Sequence, residues 1–586
     1  MKRVFFITLT ISALIFAGCS RDSIETTDEI VAATDSDDDD PEEAQGESDD
    51  ISTVSFERTI TLTWSGNSVS VEGDEGGTVS VTGGRATADN RERGEIVKYI
   101  LTGTCSDGDF TLYSNVKQAL VFRSLSLQSS CGSAVNNQSH KRTFVVLEGS
   151  STLRDAAVLS SGNYPYESDS EDMKAAFFSE GQLVFSGTGS LSVTAQGKAA
   201  ITSDDYIRFM GTQSVSATST NGHAIRGKDG ITVDDGTITA GTSADGKKAM
   251  TSDGSVIING GTIKLSVSGG TIVEDGEYTG SAGIKSDGPF SITGGSLTVT
   301  NSGTGGKGIS GDSTASFSGG TVNVTVTGSN YGSSSGRTTP FAMGGGGGFN
   351  PGGPGNGGTG PGGNSSSSKS AKGIKFDGDI TISGGTISIS ANAHEGLESK
   401  GKLTVSGGTL YSFSSSDDGI NSAGDMSLAG GTVCGWSSGN DGIDANGNLT
   451  IEGATVYAIC TSGSPEVALD ANTEGGKKLY LKSGVTVAVG GIEQGSSITG
   501  SAYTATSWTK GGWNTLYSAS GSEALTFKAP SSGNSLVLYA DGKTPEFKSG
   551  VSVSGGTQIF GGNALVGGSV SGGNTVNISK YTSSGR

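Results

Sequence analysis

Carboxylates recur at fixed spacing around single apolar residues in the second half of the chain. Glu395 and Glu398 flank Leu397, Asp418 and Asn421 flank Ile420, Asp441 and Asp444 flank Ile443, and Glu466 and Asp470 flank Leu469. If these units stack at about 4.8 Å, the acids form a column whose like charges raise one another's pKa unless a cation sits among them. Ca²⁺ takes about 6–8 oxygen ligands, and Asp418, Asn421, Asp441 and Asp444 offer several. The competing reading is a solvated acidic stripe, with Asp and Asn serving as turn residues. Lys285 and Lys375 hold, in earlier units, the place that Asp444 holds later. Their ammonium groups suit a uronate carboxylate or the base of a Ca²⁺-assisted β-elimination, and equally a plain solvated surface. A further column, Asp204, Asp253, Asp287, Asp312 and Asp377, is assigned to turn structure. Three His residues, His140, His223 and His394, lack zinc-ligand spacing, and no catalytic triad is expected.

Aromatic residues give a second chemical signal. Tyr411 and Tyr457 share one register, and Phe413 and Trp436 share the next one outward. If Leu410, Val433 and Val456 point inward, strand alternation turns these rings to solvent, where flat faces suit pyranose rings. A bend or a covering segment would return them to a core. Trp508, Trp513 and Tyr517 are expected in the core of a C-terminal cap.

What must position these groups is a repeat. Gly-Gly-Thr phrases carry Thr237, Thr262, Ser296, Thr321, Thr386, Thr409, Thr432 and Thr455. Between them runs a ladder of Ile201, Ile225, Met250, Ile284, Ile309, Ile374, Leu397, Ile420, Ile443 and Leu469. Most steps are 23 to 25 residues, broken by one of 34 and one of 65. A fixed period of short alternating strands and Gly turns marks a β-solenoid, each coil burying its apolar face against its neighbours. The expected fold is all-β, a parallel β-helix over residues 54–480, with irregular early coils, a Gly/Ser/Pro-rich insertion at 329–371 and a β-rich C-terminal segment over 481–586. Composition agrees: 99 Gly among 586 residues disfavour helices, each helix-interior Gly costing about 1 kcal/mol relative to Ala. Collagen is excluded because no third-residue Gly period exists. The net charge of −21 repels phosphate backbones and disfavours nucleic acid.

The first residues have a basic start, an apolar run too short to span a membrane, and Ala17-Gly18-Cys19. This resembles a bacterial lipobox, which implies a signal peptide over 1–18 and acylation of Cys19. Ser20 after the Cys implies the outer membrane, and the acids beyond it resemble surface-export signals. Residues 20–50 hold 14 acids against Arg21, so 19–53 reads as a solvated, lipidated tether. Cys105 and Cys131 lie one coil apart and are placed for a bridge, whereas Cys434 and Cys460 read equally well as free thiols.

The phrases DDGINSAGDMSLAGGTV, NDGIDANGNLTIEGATVYA and AGIKSDGPFSITGGSLTV, with the Gly-Pro-rich insertion before AKGIKFDGDITISGG, resemble a bacterial carbohydrate-binding β-helix family. The resemblance covers residues 54 to 480. It implies a right-handed winding, bound Ca²⁺, and binding of cellulose or acidic, pectin-like sugars without cleavage. The leading expectation is therefore a surface lipoprotein that binds polysaccharide without catalysis. A calcium-dependent uronate lyase using Lys285 or Lys375 and a structural cell-surface adhesin are the alternatives.

Overall fold

A computed structural model describes residues 49–157, 172–332 and 369–582. The signal peptide, Cys19, the tether up to residue 48 and insertion residues 333–368 lie outside the described residues. Residues Met1–Thr53 form a unit separate from Val54–Arg586, and of it a single 3-10 turn, Ile51–Thr53, is described.

Among the described residues there is no α-helix, and most of Val54–Arg586 is wound into stacked three-strand coils. One such coil comprises Leu397–Ser399, Leu403–Val405 and Thr409–Ser414. Each strand pairs in parallel with its counterpart one coil on: Leu397 with Ile420, Leu403 with Met426, Thr409 with Thr432. First strands build a 15-stranded sheet, and second and third strands lie in a 30-stranded one. The expected all-β, solenoid-like architecture is present, and its ladder is the core: Ile309, Ile374, Leu397, Ile420, Ile443 and Leu469 are all fully buried.

Local sequence explains each part of a coil. Third strands such as Thr321–Val326 alternate exposed Thr or Asn with buried Val, the period of a half-buried strand. The second Gly of each Gly-Gly-Thr phrase makes the turn before it: Gly408 and Gly431 have φ of 77° and 73°, which a side chain rarely tolerates. Inside, Phe290 packs at a tilt against Phe317 and Phe376, with ring separations of 5.5 and 5.6 Å.

Both long steps are insertions that leave the winding intact. Ile309 pairs directly with Ile374, and Thr321 with Thr386, across the 65-residue step. The 34-residue step adds an antiparallel hairpin, Ile272–Glu274 with Glu277–Thr279. Early coils are irregular, as expected: Arg58–Ser65 pairs in parallel with Val97–Cys105 and antiparallel with Ser68–Glu72. At the far end, Leu536–Ala540 runs antiparallel to Leu479–Val489 and closes an edge that would otherwise present unpaired N–H and C=O groups. A six-stranded sheet of the C-terminal segment packs a second core, with Leu516, Phe527, Phe547 and Phe560, against the later coils.

Cys105, Cys131, Cys434 and Cys460 are all free thiols. The expected Cys105–Cys131 bridge is not formed, and Cys131 accepts instead from the Arg85 guanidinium at 3.2 Å.

Candidate functional site

The acids of the later coils gather at one corner, between a third strand and the first strand of the next coil. Register defines two columns. One runs Lys375, Glu398, Asn421, Asp444, Asp470. The other lies two residues before the ladder and holds Lys372, Glu395, Asp418 and Asp441. Backbone bonds lock it: the N–H of Gly373 donates to Glu395 O, that of Gly396 to Asp418 O and that of Gly419 to Asp441 O. Gly follows each acid because the chain is too close for a side chain. A Cβ on Gly419 would lie 2.6 Å from both Gly442 O and Trp436 N.

The first part of this corner neutralises itself. The Lys372 ammonium lies 3.0 Å from Glu395 and 2.5 Å from Glu398, and Lys400 also reaches Glu398. Burial works against the Lys372 charge, but the two glutamates outweigh it and hold its pKa above the ordinary lysine value. His394 bonds Glu395 and sits 2.9 Å from Asp417. Burial opposes its proton too, yet those two carboxylates push its pKa up to about 9. His394, Glu395 and Asp417 place their ligand atoms within 4.8 Å of one another. With the ring protonated at neutral pH, they make an ion triad.

The next part has no such cation. Asp418 accepts from the Asn421 amide at 2.8 Å and from the Asp441 N–H at 3.1 Å. Asn421 also donates to Asp444 at 3.1 Å, and the Val467 N–H donates to Asp441 at 2.6 Å. Even so, burial first, and the charges of Asp417 and Asp444 next, push Asp418 up to about 9. Burial raises Asp441 to about 7, against its bond from Val467 and with the charges of Glu466 and Asp444. Burial, then Asp417 and Glu466, raise Asp444 to about 6. Asp470 is raised as well, by burial and by a hydrogen bond shared with Glu493. These carboxyls share donors and charge with one another, and among the described residues no ammonium or guanidinium lies in ion-pair range of them.

Of the acids expected to bind calcium, Glu395 and Glu398 are thus engaged by Lys372, His394 and Lys400, while Asp418, Asn421, Asp441, Asp444 and Asp470 stand together. Glu466 stands out of register with the column but near it, its charge acting on Asp441 and Asp444. The step from Ile443 to Leu469 is longer than 23 residues, so Val467 faces Asp441 and Glu466 falls beside Asn440. Lys372, His394 and Asp417 were missed as partners. All three were legible, since they occupy the same two pre-ladder positions as Glu395, Asp418 and Asn440. Glu493 lies outside the repeat and carried no signal.

Both lysines considered as bases are in ion pairs. Lys285 lies 2.8 Å from Asp287 and 2.5 Å from Asp312, and Lys375 pairs with Asp377. Arg226 likewise lies 2.9 Å from Asp253. The Asp column of the turns therefore supplies counter-ions to the cations two residues before it.

The aromatic face is corrected. Alternation does turn Tyr411, Phe413, Trp436 and Tyr457 out of the coil interior, but the C-terminal segment occupies that side. Tyr457 is fully buried, donates its hydroxyl to Lys528 O at 2.8 Å and packs 5.1 Å from Phe527. Tyr411 packs 6.3 Å from Phe560. Phe413 and Trp436 meet edge to face at 5.4 Å, so they offer no continuous flat surface. Trp508 packs against this second core, and Trp513, half-buried, lies in its sheet beside Lys528 and outside that core. Tyr517, half-buried in the same strand, carries Lys548 over its ring at 5.2 Å.

A family model described as carbohydrate-binding domain-containing protein matches residues 75–277, 267–419 and 367–520, well over half of the chain. The chain belongs to this family. A polysaccharide-related role goes with that membership. No curated protein matches significantly. A solved structure of the polysaccharide lyase-like protein from C. thermocellum, a gadolinium derivative, is similar at 16% identity over 46% of this chain and 95% of that chain, with a TM-score of 0.31. A likeness of that degree fixes neither fold nor chemistry here.

Proposed function

We propose that this member of the carbohydrate-binding family is a non-catalytic polysaccharide-binding lipoprotein whose acid corner takes Ca²⁺. The observation that carries the calcium reading is the unpaired carboxyl group set of Asp418, Asp441, Asp444 and Asp470. Buried carboxyls that raise one another's pKa remain protonated or attract a cation. Carboxylates with the Asn421 amide oxygen are the hard oxygen donors that Ca²⁺ prefers. A bound Ca²⁺ would supply positive charge for a sugar carboxylate or hydroxyl at the corner, while the chain's own bonds from Val467 and Asn421 orient the acids. Cellulose and polygalacturonate-like chains are the proposed ligands. A right-handed winding, acylation of Cys19, and display on the outer-membrane surface complete the proposal.

The non-catalytic reading is supported by Lys285 and Lys375, each of which is engaged by an aspartate of the turn column instead of standing alone in a cleft. The test is affinity electrophoresis in polygalacturonate and pull-down on insoluble cellulose, each with calcium and with EGTA. Retardation that weakens in EGTA without release of unsaturated, UV-absorbing sugar is the expected result. Unsaturated products would make the protein a lyase, and no retention on any glycan would favour an adhesin.

A further inference from the structure

Both insertions leave the coil at the same kind of corner and meet there. The hairpin brings Tyr278 to within 6.0 Å of Tyr331, ring to ring, and both rings are half-exposed. Backbone bonds tie the two insertions to one coil: the Lys307 N–H donates to Ser281 O at 2.9 Å and the Gly305 N–H to Ser329 O at 2.7 Å. Tyr331 and Lys369 exchange N–H···O bonds of 2.8 and 3.1 Å. Gly305, at φ 72°, sits beneath them, and a Cβ there would lie 2.9 Å from Lys369 Cβ and 3.0 Å from Tyr331 Cβ. Tyr331, Lys369 and Lys307 therefore spring from one small patch of backbone.

Lys307 holds the column position that Lys372 holds in the next coil. The surroundings differ. Lys372 has two glutamates, whereas among the described residues neither Lys307 nor Lys369 has a carboxylate within ion-pair distance. Burial, and then the ammonium groups of Lys369, Lys375 and Lys372, lower the Lys307 pKa to about 8 against the opposing charge of Glu398. A cationic centre with no ion-pairing carboxylate among the described residues thus lies beside an aromatic pair.

We propose that Tyr278, Tyr331, Lys307 and Lys369 form a binding site for an acid-bearing glycan, the rings packing on a sugar face and the two ammonium groups meeting its carboxylate or sulfate directly, without a metal. The inference rests on the carbohydrate-binding reading and moves it to residues separate from the acid corner. Ammonium groups meet a carboxylate or sulfate with charge-assisted hydrogen bonds, and the C–H face of a pyranose packs on an aromatic face. A neutral glycan would leave the lysine charges uncompensated. A nucleic acid is disfavoured by the chain's net charge of −21.

The test is affinity electrophoresis of the full chain in EGTA, in gels containing polygalacturonate, dextran sulfate or neutral dextran. Wild type is expected to be retarded by at least one acidic polymer and not by dextran; the two acidic gels separate carboxylate from sulfate. Lys307→Gln with Lys369→Gln, and Tyr278→Ala with Tyr331→Ala, should each weaken retention about tenfold, roughly the loss of one charged hydrogen bond. Lys307→Arg should retain it. Melting temperatures of the variants guard against misfolding. Retention of the lysine variant equal to wild type, or wild-type retardation only with calcium, would overturn this site while leaving carbohydrate binding intact. Wild type unretarded by every glycan, with or without calcium, would overturn the carbohydrate-binding reading itself.

Discussion

Two stretches of one corner, the coils about Lys372 and those about Asp441, share backbone and register and differ in the charges they bury. In the first, Lys372 stands within 3.0 Å of Glu395 and 2.5 Å of Glu398, and the cluster is electrically complete. In the second, Asp418 and Asp441 fill the same column with no cation among the described residues, and their carboxyls rise to about 9 and 7. The backbone bonds from Gly396 and Gly419 are the same in kind. The fold therefore sets where a side chain stands, and the sign of that side chain decides whether the corner is self-sufficient or open to a ligand cation.

The comparison breaks most visibly at Lys372. Replacing it by Met leaves Glu398, 1% exposed, and Glu395 without their central cation, and the loss of stability should be about 3–5 kcal/mol. Lys372→Arg should recover most of it in thermal denaturation. A melting temperature for Lys372→Met equal to wild type would show that the two stretches do not differ as described.

The opposite change belongs in the second stretch. Asp441→Asn with Asp444→Asn removes like charge, so in EGTA at pH 8 the variant should be more stable than wild type by roughly 1–3 kcal/mol. Its melting temperature should no longer respond to Ca²⁺. Stability lower than wild type in EGTA would mean that these carboxylates contribute favourably without a metal.

The pH dependence carries the same contrast at smaller amplitude. Asp418 has a folded pKa of about 9 against an ordinary value of 3.8, so the folded state holds more protons between those limits. Stability in EGTA should therefore be fullest below about pH 4 on this account and fall as pH rises toward 9. Saturating Ca²⁺ should flatten or reverse that slope, as denaturant midpoints across the range would reveal.

The smallest effect serves as a control. Tyr457→Phe removes the bond to Lys528 O beneath the C-terminal segment and should cost about 1 kcal/mol, equally with and without Ca²⁺. A calcium-dependent cost would mean that the C-terminal segment and the acid corner are coupled.

Much of the fold was legible because a solenoid writes its geometry as a period. Ile309 and Ile374 could be matched across a 65-residue step because each carries the same local pattern, and they pair directly. The acid columns were legible for the same reason. Legibility failed where contacts come from outside the repeat. Nothing local to Tyr457 announces Phe527, some seventy residues on, so alternation correctly turned the ring outward and could not show what covers it. Glu466 falls out of register with Glu395, Asp418 and Asp441 because three extra residues in one loop lengthen that coil. Lys307 looked like any other lysine until the hairpin and Tyr331 were brought beside it.

The most direct measurement for the calcium corner is isothermal titration of Ca²⁺ into the metal-stripped full chain at pH 8, alongside Asp441→Asn with Asp444→Asn. The account predicts saturable binding by wild type, with proton release that scales with buffer ionisation enthalpy because Asp418 gives up its proton, and no such binding by the variant. Equal binding by both proteins, or none by wild type, would contradict it.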